Sequence, residues 1–477
     1  MSGVPVVVVG AGPVGLTAAL LLARRGLPVL LLDRHPGPYP LPRAVHVDDE
    51  VFRVLQAAGV ADEVAALSRP MAGLRILDGG RRVLATFERA PGAGRNGWPA
   101  GSLLHQPDLE AVLTDAVARS PEVTLQRRVE VVGLAQDDDG VTLTVLDDGV
   151  RRSVRGVAVL GCDGANSTVR SLIGSVPRDL GPADRWLVLD ARSARPLPMW
   201  GGVHQVCGPG RASTFMHVTG DRYRWEFRMT PEEIAAVLTE PEQLAALLAP
   251  VPLADLEIVR AAEYTFRASV TSVWRRGRVL LAGDAAHLTP PFVGQGMGLG
   301  LRDVHQLVWK LAAVLDGAPD SLLDSYQAER EPHARALIRV ALTLGRLMTG
   351  GGRGAAVVRR AGLAVARRMP VVARLATDSR TPPLRGPLVQ RRGRAGRLAG
   401  TLVPQPEVLV AGRPCRLDDV LGIGAAELRL VAGGLVVSAA GRETPIEDPT
   451  GVRAAWLQTA GATSVRIRPD RIVESAT

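Results

Sequence analysis

Residues 5–33, PVVVVGAGPVGLTAALLLARRGLPVLLLD, decide the fold. Pro5–Val9 is an unbroken apolar run, as a parallel strand covered on both faces requires. Gly10-Ala11-Gly12-Pro13-Val14-Gly15 follows as G-x-G-x-x-G, then a helical stretch, Leu16–Arg25, closed by Gly26. A second apolar strand, Pro28–Leu32, ends at Asp33. Strand, glycine turn, helix, strand and terminal acid within about 30 residues make a dinucleotide-binding unit. The glycines permit the tight turn, let the backbone approach a pyrophosphate and let helix pack on strand. Asp33 is placed to hydrogen-bond an adenosine ribose. The unit alone does not separate FAD from NAD.

A second stretch has the same logic. Residues 278–315, RVLLAGDAAHLTPPFVGQGMGLGLRDVHQLVWKLAAVL, read as a short strand (Val279–Ala282), a Gly283-Asp284 turn, a Pro/Gly-rich loop and a helix from near Gly296. Leu301, Val304, Val308, Leu311 and Leu315 recur at helical spacing, and Gly317 stands at the C-cap. The helix start carries Gly294, Gly296 and Gly298, so its unpaired N–H groups are open to a flat, electron-rich ligand. Asp284, at a strand end, is placed to accept from a ligand hydroxyl. A third buried strand, Val157–Leu160, runs into Gly161-Cys162-Asp163-Gly164 and puts another acid at the carboxyl edge of a sheet, where ligands of α/β folds sit.

The rest of the 477-residue chain bounds the answer. Its length suits two or three domains, and 46% hydrophobic with 22% charged residues describes a globular protein. The net charge is +9, and with Lys310 as the sole lysine nearly all the positive charge is arginine. Cys162, Cys207 and Cys415 are far apart and form no CxxC, so neither a metal site nor a disulfide framework is expected, and a reducing, cytoplasmic compartment is. The uncharged run Val4–Ala23 lacks a basic leader and is interrupted by Gly10, Gly12, Pro13 and Gly15, which argues against a signal peptide or membrane span. The arginine-rich stretch 350–398 has no interleaved aromatic residues and reads as a basic surface linker, not a nucleic-acid or membrane segment. From 187 to 271 the strands alternate in polarity, as in an antiparallel domain. The expected organisation is 1–186 with a short insertion near 71–104, then 187–274, 275–349, a helical linker 350–400, and 401–477.

Together these motifs resemble class A (single-component) flavoprotein aromatic monooxygenases, above all the 3-(3-hydroxyphenyl)propionate hydroxylase-like branch and the aromatic polyketide hydroxylases. The resemblance rests on Gly10-x-Gly12-x-x-Gly15 with Asp33-Arg34, Pro42-Arg43-Ala44, Gln106, and Asp163-Gly164. It continues in Gly283-Asp284-Ala285-Ala286-His287, Pro290-Pro291-Phe292-x-Gly294-Gln295-Gly296 and Tyr326-x-x-Glu329-Arg330. Arg224-Trp225-Glu226-Phe227 also looks like this branch. The resemblance implies an α/β fold: a Rossmann-like FAD-binding domain of the para-hydroxybenzoate hydroxylase type, an inserted antiparallel-sheet substrate domain and a small C-terminal thioredoxin-like domain without CxxC. It implies FAD, with NADH or NADPH as co-substrate. An aromatic small molecule, typically phenolic, and molecular oxygen are the other implied reactants, meeting at a flavin C4a-hydroperoxide. A structural or dimer-contact role is implied for the C-terminal domain, and with it a homodimer.

Carried over by position, Gly12 and Pro13 belong by the pyrophosphate and Asp33 by the ribose, with Gly10, Val14, Gly15 and Arg34 among the other implied cofactor-binding residues. Arg43 and Gln106 belong on the flavin side, Asp163 in the motif linked to FAD and pyridine nucleotide, and Asp284 at the ribityl chain. Pro291 packs near the isoalloxazine, and Gly294, Gln295, Gly296, Met297 and Gly298 meet its pyrimidine edge. Relatives often carry a small polar residue, commonly Asn, where this chain has Gly298 and Leu299, so backbone donors alone remain there. His287, Tyr264 and Arg267 are the candidate catalytic residues, with His204 and His217 added by domain position. The W-x-W-x-I-P stretch of flavin halogenases is absent. An epoxidase or oxidase of the same fold and a non-catalytic FAD-binding protein are the alternatives.

Overall fold

Valine and leucine runs too apolar to face water build the centre of the molecule. The computed structural model describes residues 3–38, 40, 43–208, 211–349, 381–432 and 434–477. The strands Val279–Leu281, Ala158–Gly161, Val6–Val9, Val29–Asp33 and Val123–Arg127 lie side by side in parallel, with Arg275–Arg276 antiparallel at one edge. Helices Pro13–Ala23, Gln106–Ala118 and Gly296–Leu315 pack together over this sheet, and an antiparallel meander, Val129–Asp137, Gly140–Asp147 and Val150–Gly156, backs it. Both faces are thereby buried, as uniformly apolar strands demand.

Register aligns the three turns. Val9 stands opposite Leu32 on one side and Gly161 on the other, and Gly161 stands opposite Leu281. The glycine turn, Asp33, the Asp163-Gly164 turn and the Gly283-Asp284 turn therefore emerge along one edge of one sheet.

A seven-stranded sheet forms the second layer. Its order is Glu257–Phe266, Asp184–Arg192, Arg222–Arg228, Ser213–His217, Val203–Cys207, Gly73–Asp78 and Val83–Glu88. The insertion near 71–104 thus supplies two strands to this sheet, and its other five strands come from Asp184 onward. On one face Leu187, Leu189, Tyr223, Trp225 and Phe227 form a core with Ile234, Val237, Leu247 and Leu248. The last four belong to helices Pro231–Thr239 and Pro241–Leu248, which the strand pattern did not suggest. Thr230 and Glu233 close a reciprocal capping box at their start, a signal legible in Thr230-Pro231-Glu232-Glu233.

The C-terminal unit has its own core (Leu428, Val437, Leu457, Val465) and a five-stranded sheet, ordered Arg442–Ile446, Gly434–Ala439, Ala426–Val431, Ser464–Ile467, Val473–Ala476, with each pairing antiparallel. Buried Arg53 ties it to the first domain through Asp418 (2.7 and 2.9 Å) and the Val403 carbonyl (2.6 Å). Of the expected helical linker, residues up to 380 lie outside the described residues, as does Pro42. The remainder, 381–400, runs as irregular chain with a 3₁₀ turn at Ala395–Leu398.

Candidate cofactor and substrate site

At the first turn, a Cβ on Gly15 would stand 1.8 Å from the Gly10 carbonyl oxygen, so glycine alone lets the helix settle on its strand. Pro13 opens the helix, and among the described residues no acceptor meets the Val14 or Gly15 N–H. Asp33 accepts from the Ala11 N–H (2.6 Å) and the His35 N–H (2.7 Å), which pins the acid beside the turn with lone pairs to spare. Arg34 is exposed, its Nε 3.3 Å from His35.

The other two acids differ. Asp163 is committed internally: it accepts from the Ser167 hydroxyl and the Val169 N–H (3.0 Å), at the start of the short helix Thr168–Leu172. Burial pushes its pKa up, and those bonds oppose the rise. Asp284 is half-buried, and among the described residues no hydrogen-bond donor reaches its carboxyl group. Burial raises its pKa, while His287 and Arg43 pull the other way. A buried acid without a donor calls for one from a ligand.

Gln106 acts on the neighbouring loop. Its Oε1 accepts from the Ala44 N–H (2.7 Å) and its Nε2 donates to Glu110 (2.7 Å), so it holds the Arg43–Ala44 segment in place. The exposed Arg43 side chain lies close enough to Glu110 and Asp284 to favour the charge of both.

The mouth of the third motif is built by a clamp. Pro291 opens a 3₁₀ turn, Gly294 takes a left-handed φ of +62°, and Gln295 leads into the helix Gly296–Leu315. Met297 packs partly buried against the core. Among the described residues no acceptor meets the Gly296, Met297 or Gly298 N–H. Gln295 donates to Asp48 (2.8 Å), and Arg302 donates to Gln295 (2.9 Å) and Asp48 (2.6 Å) and pairs with Glu50 (2.8 Å). Burial opposes the charge on Asp48, yet Arg302 holds it in the carboxylate form, below its ordinary pKa. A Cβ on Gly298 would lie 2.8 Å from the Arg302 guanidinium, so the clamp occupies the space a side chain there would need. His46 approaches the Gly294 carbonyl through Nδ1 (3.3 Å). Burial, with Arg89 adding to it, lowers its pKa to about 4, so the ring is neutral, Nδ1 donates and, among the described residues, Nε2 is left as a buried acceptor without a partner.

The candidate catalytic residues do not converge. His287 is buried, with Nε2 2.7 Å from Asp303, and Asp303 also accepts from the Gly283 N–H (3.1 Å) and Arg330 (2.9 Å). That arrangement fastens the Gly283-Asp284 turn to the helix, with His287 as part of the brace. Tyr264 is exposed on the outer strand of the second sheet, and Arg267 is exposed just past its end. His204 stacks on Phe215 at 4.4 Å, while His217 stacks on Tyr223 and bonds the Gly220 carbonyl (2.8 Å). Strand alternation puts these two rings on the sheet face turned away from the cofactor loops.

The opposite face meets those loops. Arg224 donates to the Arg43 carbonyl (2.8 Å), and Gln205 reaches the Phe292 carbonyl (3.4 Å). From the Gln205 anchor the register sets Gln205, Thr214, Glu226 and Val188 in one row, beside the row that holds Arg224. Glu226 is half-buried, 3.7 Å from Arg224, which itself pairs with Asp190 (2.7 Å). Burial raises the Glu226 pKa; Arg224 and Arg260 oppose the rise and Asp190 adds to it. Sequence reading had not singled out His46, Asp48, Arg302 or Gln205, and noticed Glu226 as part of a motif. Asp48-Asp49-Glu50 ahead of an apolar helical run was a visible cap signal, and Asp48 does accept from the Val51 N–H (2.8 Å).

The chain has relatives among known proteins. The FAD binding domain family matches residues 3–341. The chain is 35% identical to a probable NADH-specific resorcinol 4-hydroxylase of Rhodococcus jostii, covering 98% of this chain and 91% of that one. It is 34% identical to a 3-(3-hydroxy-phenyl)propionate/3-hydroxycinnamic acid hydroxylase of Burkholderia vietnamiensis, covering 99% and 93%. Among solved structures, p-nitrophenol 4-monooxygenase from Pseudomonas putida matches with a TM-score of 0.72 at 27% identity (78% of this chain, 95% of that one). Aklavinone-11 hydroxylase in complex with FAD and aklavinone matches with 0.76 at 25% identity (99% and 95%). The chain belongs to the FAD binding domain family and, within it, to the FAD-dependent class A flavoprotein aromatic monooxygenases.

Proposed function

We propose that this enzyme hydroxylates a phenol lying against the Gln205–Thr214–Glu226 row, with NADH as reductant. The observation that carries the reading is the position of that row, anchored by Gln205 to the Pro291 turn and lying beside Arg224, which holds the Arg43 loop, on the sheet face opposite the aromatic core. The donor set fits FAD: a glycine turn open to a pyrophosphate, Asp33 at the next strand and, among the described residues, Asp284 lacking a donor and the Gly296–Gly298 amides lacking acceptors. Bound there, the flavin supplies the electron transfer from NADH and the oxygen activation; one oxygen atom enters the ring and the other leaves as water. The chain's own residues position. The helix amides favour negative charge on the ring edge they face. The half-buried Glu226 carboxyl accepts from the phenol hydroxyl at Oε1 or Oε2, which directs electron density into the ring. NADH is preferred over NADPH on the strength of the resorcinol hydroxylase likeness.

The test is a panel of resorcinol, 3-(3-hydroxyphenyl)propionate and larger phenols, following NADH oxidation and the mass of the product. A product heavier by one oxygen with a phenol is expected. NADH consumption indifferent to every phenol, with no oxygenated product, overturns the reading. The same proposal includes a homodimer, implied by the resemblance and measured by light scattering. It also includes a cytoplasmic setting, supported by three widely spaced cysteines that form no CxxC; no helix among the described residues is long and apolar enough to cross a membrane.

A further inference from the structure

A cleft of about 260 Å³ opens where the C-terminal unit meets the first domain, behind the cofactor helix and remote from its glycine mouth. Its floor is apolar, with Val308 from that helix and Ile423 from the C-terminal unit. Its walls are cationic: Arg24 and Arg25 follow the end of helix Pro13–Ala23, and Arg471 faces them. Arg471 is 4% exposed; its Nη2 donates to the Gly422 carbonyl and its Nε lies 3.3 Å from Asp418, but its Nη1 has no acceptor among the described residues. The two carboxylates that also line the cleft have further partners. Asp418 is held on both oxygens by Arg53, and Asp419 accepts from Gln56 (2.7 Å). His305 also lines the cleft; burial holds its pKa down at about 4, with Asp470 and Asp418 opposing the shift and Arg471 and Arg25 adding to it.

We propose that this cleft binds a compact organic carboxylate, its anionic head on Arg25 and the Arg471 Nη1 and its apolar body on Val308 and Ile423. A buried guanidinium N–H without an acceptor is costly, and a carboxylate supplies the strongest partner available to it. The apolar floor selects an organic anion over an inorganic one. Because both domains contribute walls, occupancy fastens the C-terminal unit to the cofactor domain.

Isothermal titration of the FAD-loaded full chain with cyclohexanecarboxylate, and separately with inorganic phosphate, tests this. One carboxylate per chain is expected, with an unchanged flavin absorption spectrum, phosphate at least ten-fold weaker, and affinity reduced at least ten-fold in Arg25→Gln and in Arg24→Gln/Arg25→Gln. FAD content and phenol-dependent NADH oxidation of these variants should match the parent protein. Affinity unmoved by both variants, phosphate binding as tightly as the carboxylate, no heat with either anion, or a flavin spectral change that tracks the titration each overturns the proposal. The spectral outcome would place the anion in the substrate site and leave the hydroxylase reading standing.

Discussion

Asp284 and Asp163 share a sequence context, an acid followed by a small residue after a buried strand, yet their side chains have opposite fates. Asp163 finds Ser167 four residues on and caps a helix with it, whereas Asp284 is followed by alanines and keeps an open carboxyl group. We therefore expect Asp284→Ala to lose a charge-assisted hydrogen bond of about 1.5–3 kcal/mol and weaken FAD binding roughly 10- to 100-fold. Equilibrium dialysis measures it, and an unchanged Kd would contradict the assignment. His204 illustrates a residue whose chemistry is structural. Burial, with Arg75 adding to it, lowers its pKa to about 4, below the ordinary 6.5. Because the folded state depresses this pKa, the stability it carries is complete above pH 6.5 and is lost as pH falls through about 4. His204→Gln should flatten that part of the urea-midpoint profile; a slope as steep as the parent's would show that other groups set it.

At the scale of elements, the helix Gly296–Leu315 supplies the amides, but Asp48 and Arg302 decide where they point. The side chains of that pair are 1% and 3% exposed, so Arg302→Met would strand Asp48 and Glu50 without their counter-charge. A loss of about 3–5 kcal/mol in urea denaturation is expected, with faster FAD release as Gln295 is freed. Stability within about 0.5 kcal/mol of the parent would sink the clamp. Element existence was legible: the predicted helix from near Gly296 runs Gly296–Leu315, and the first unit folds as strand, helix and strand. What escaped was pairing between distant segments. Nothing local in Gly73–Glu88 says that it completes a sheet begun at Asp184, because strand periodicity carries face but not partner.

Across the whole molecule, buried ion pairs join parts far apart in sequence. Lys310, the sole lysine, is fully buried against Glu329 (2.9 Å), which also receives Arg468 (3.0 Å); Arg468 in turn holds Asp470 (2.5 Å). Burial, opposed by Glu329, brings the Lys310 pKa down to about 8. Such a network should make the C-terminal unit and the cofactor domain unfold together. Arg468→Met is expected to cost about 3–5 kcal/mol and to move tryptophan fluorescence and FAD release to a common lower urea midpoint. Two separated transitions with flavin retained on the first would refute this coupling. The sequence by itself determined the dinucleotide unit, the amide-rich helix start and the acids at strand ends, because those follow from local rules of glycine, periodicity and capping. Only the tertiary structure decided that His287 is a buried brace, that Gln106 steadies a loop and that Glu226 lies on the sheet face that meets the Arg43 and Pro291 loops. Burial and hydrogen-bond partners come from residues tens to hundreds of positions away, and no local pattern encodes them.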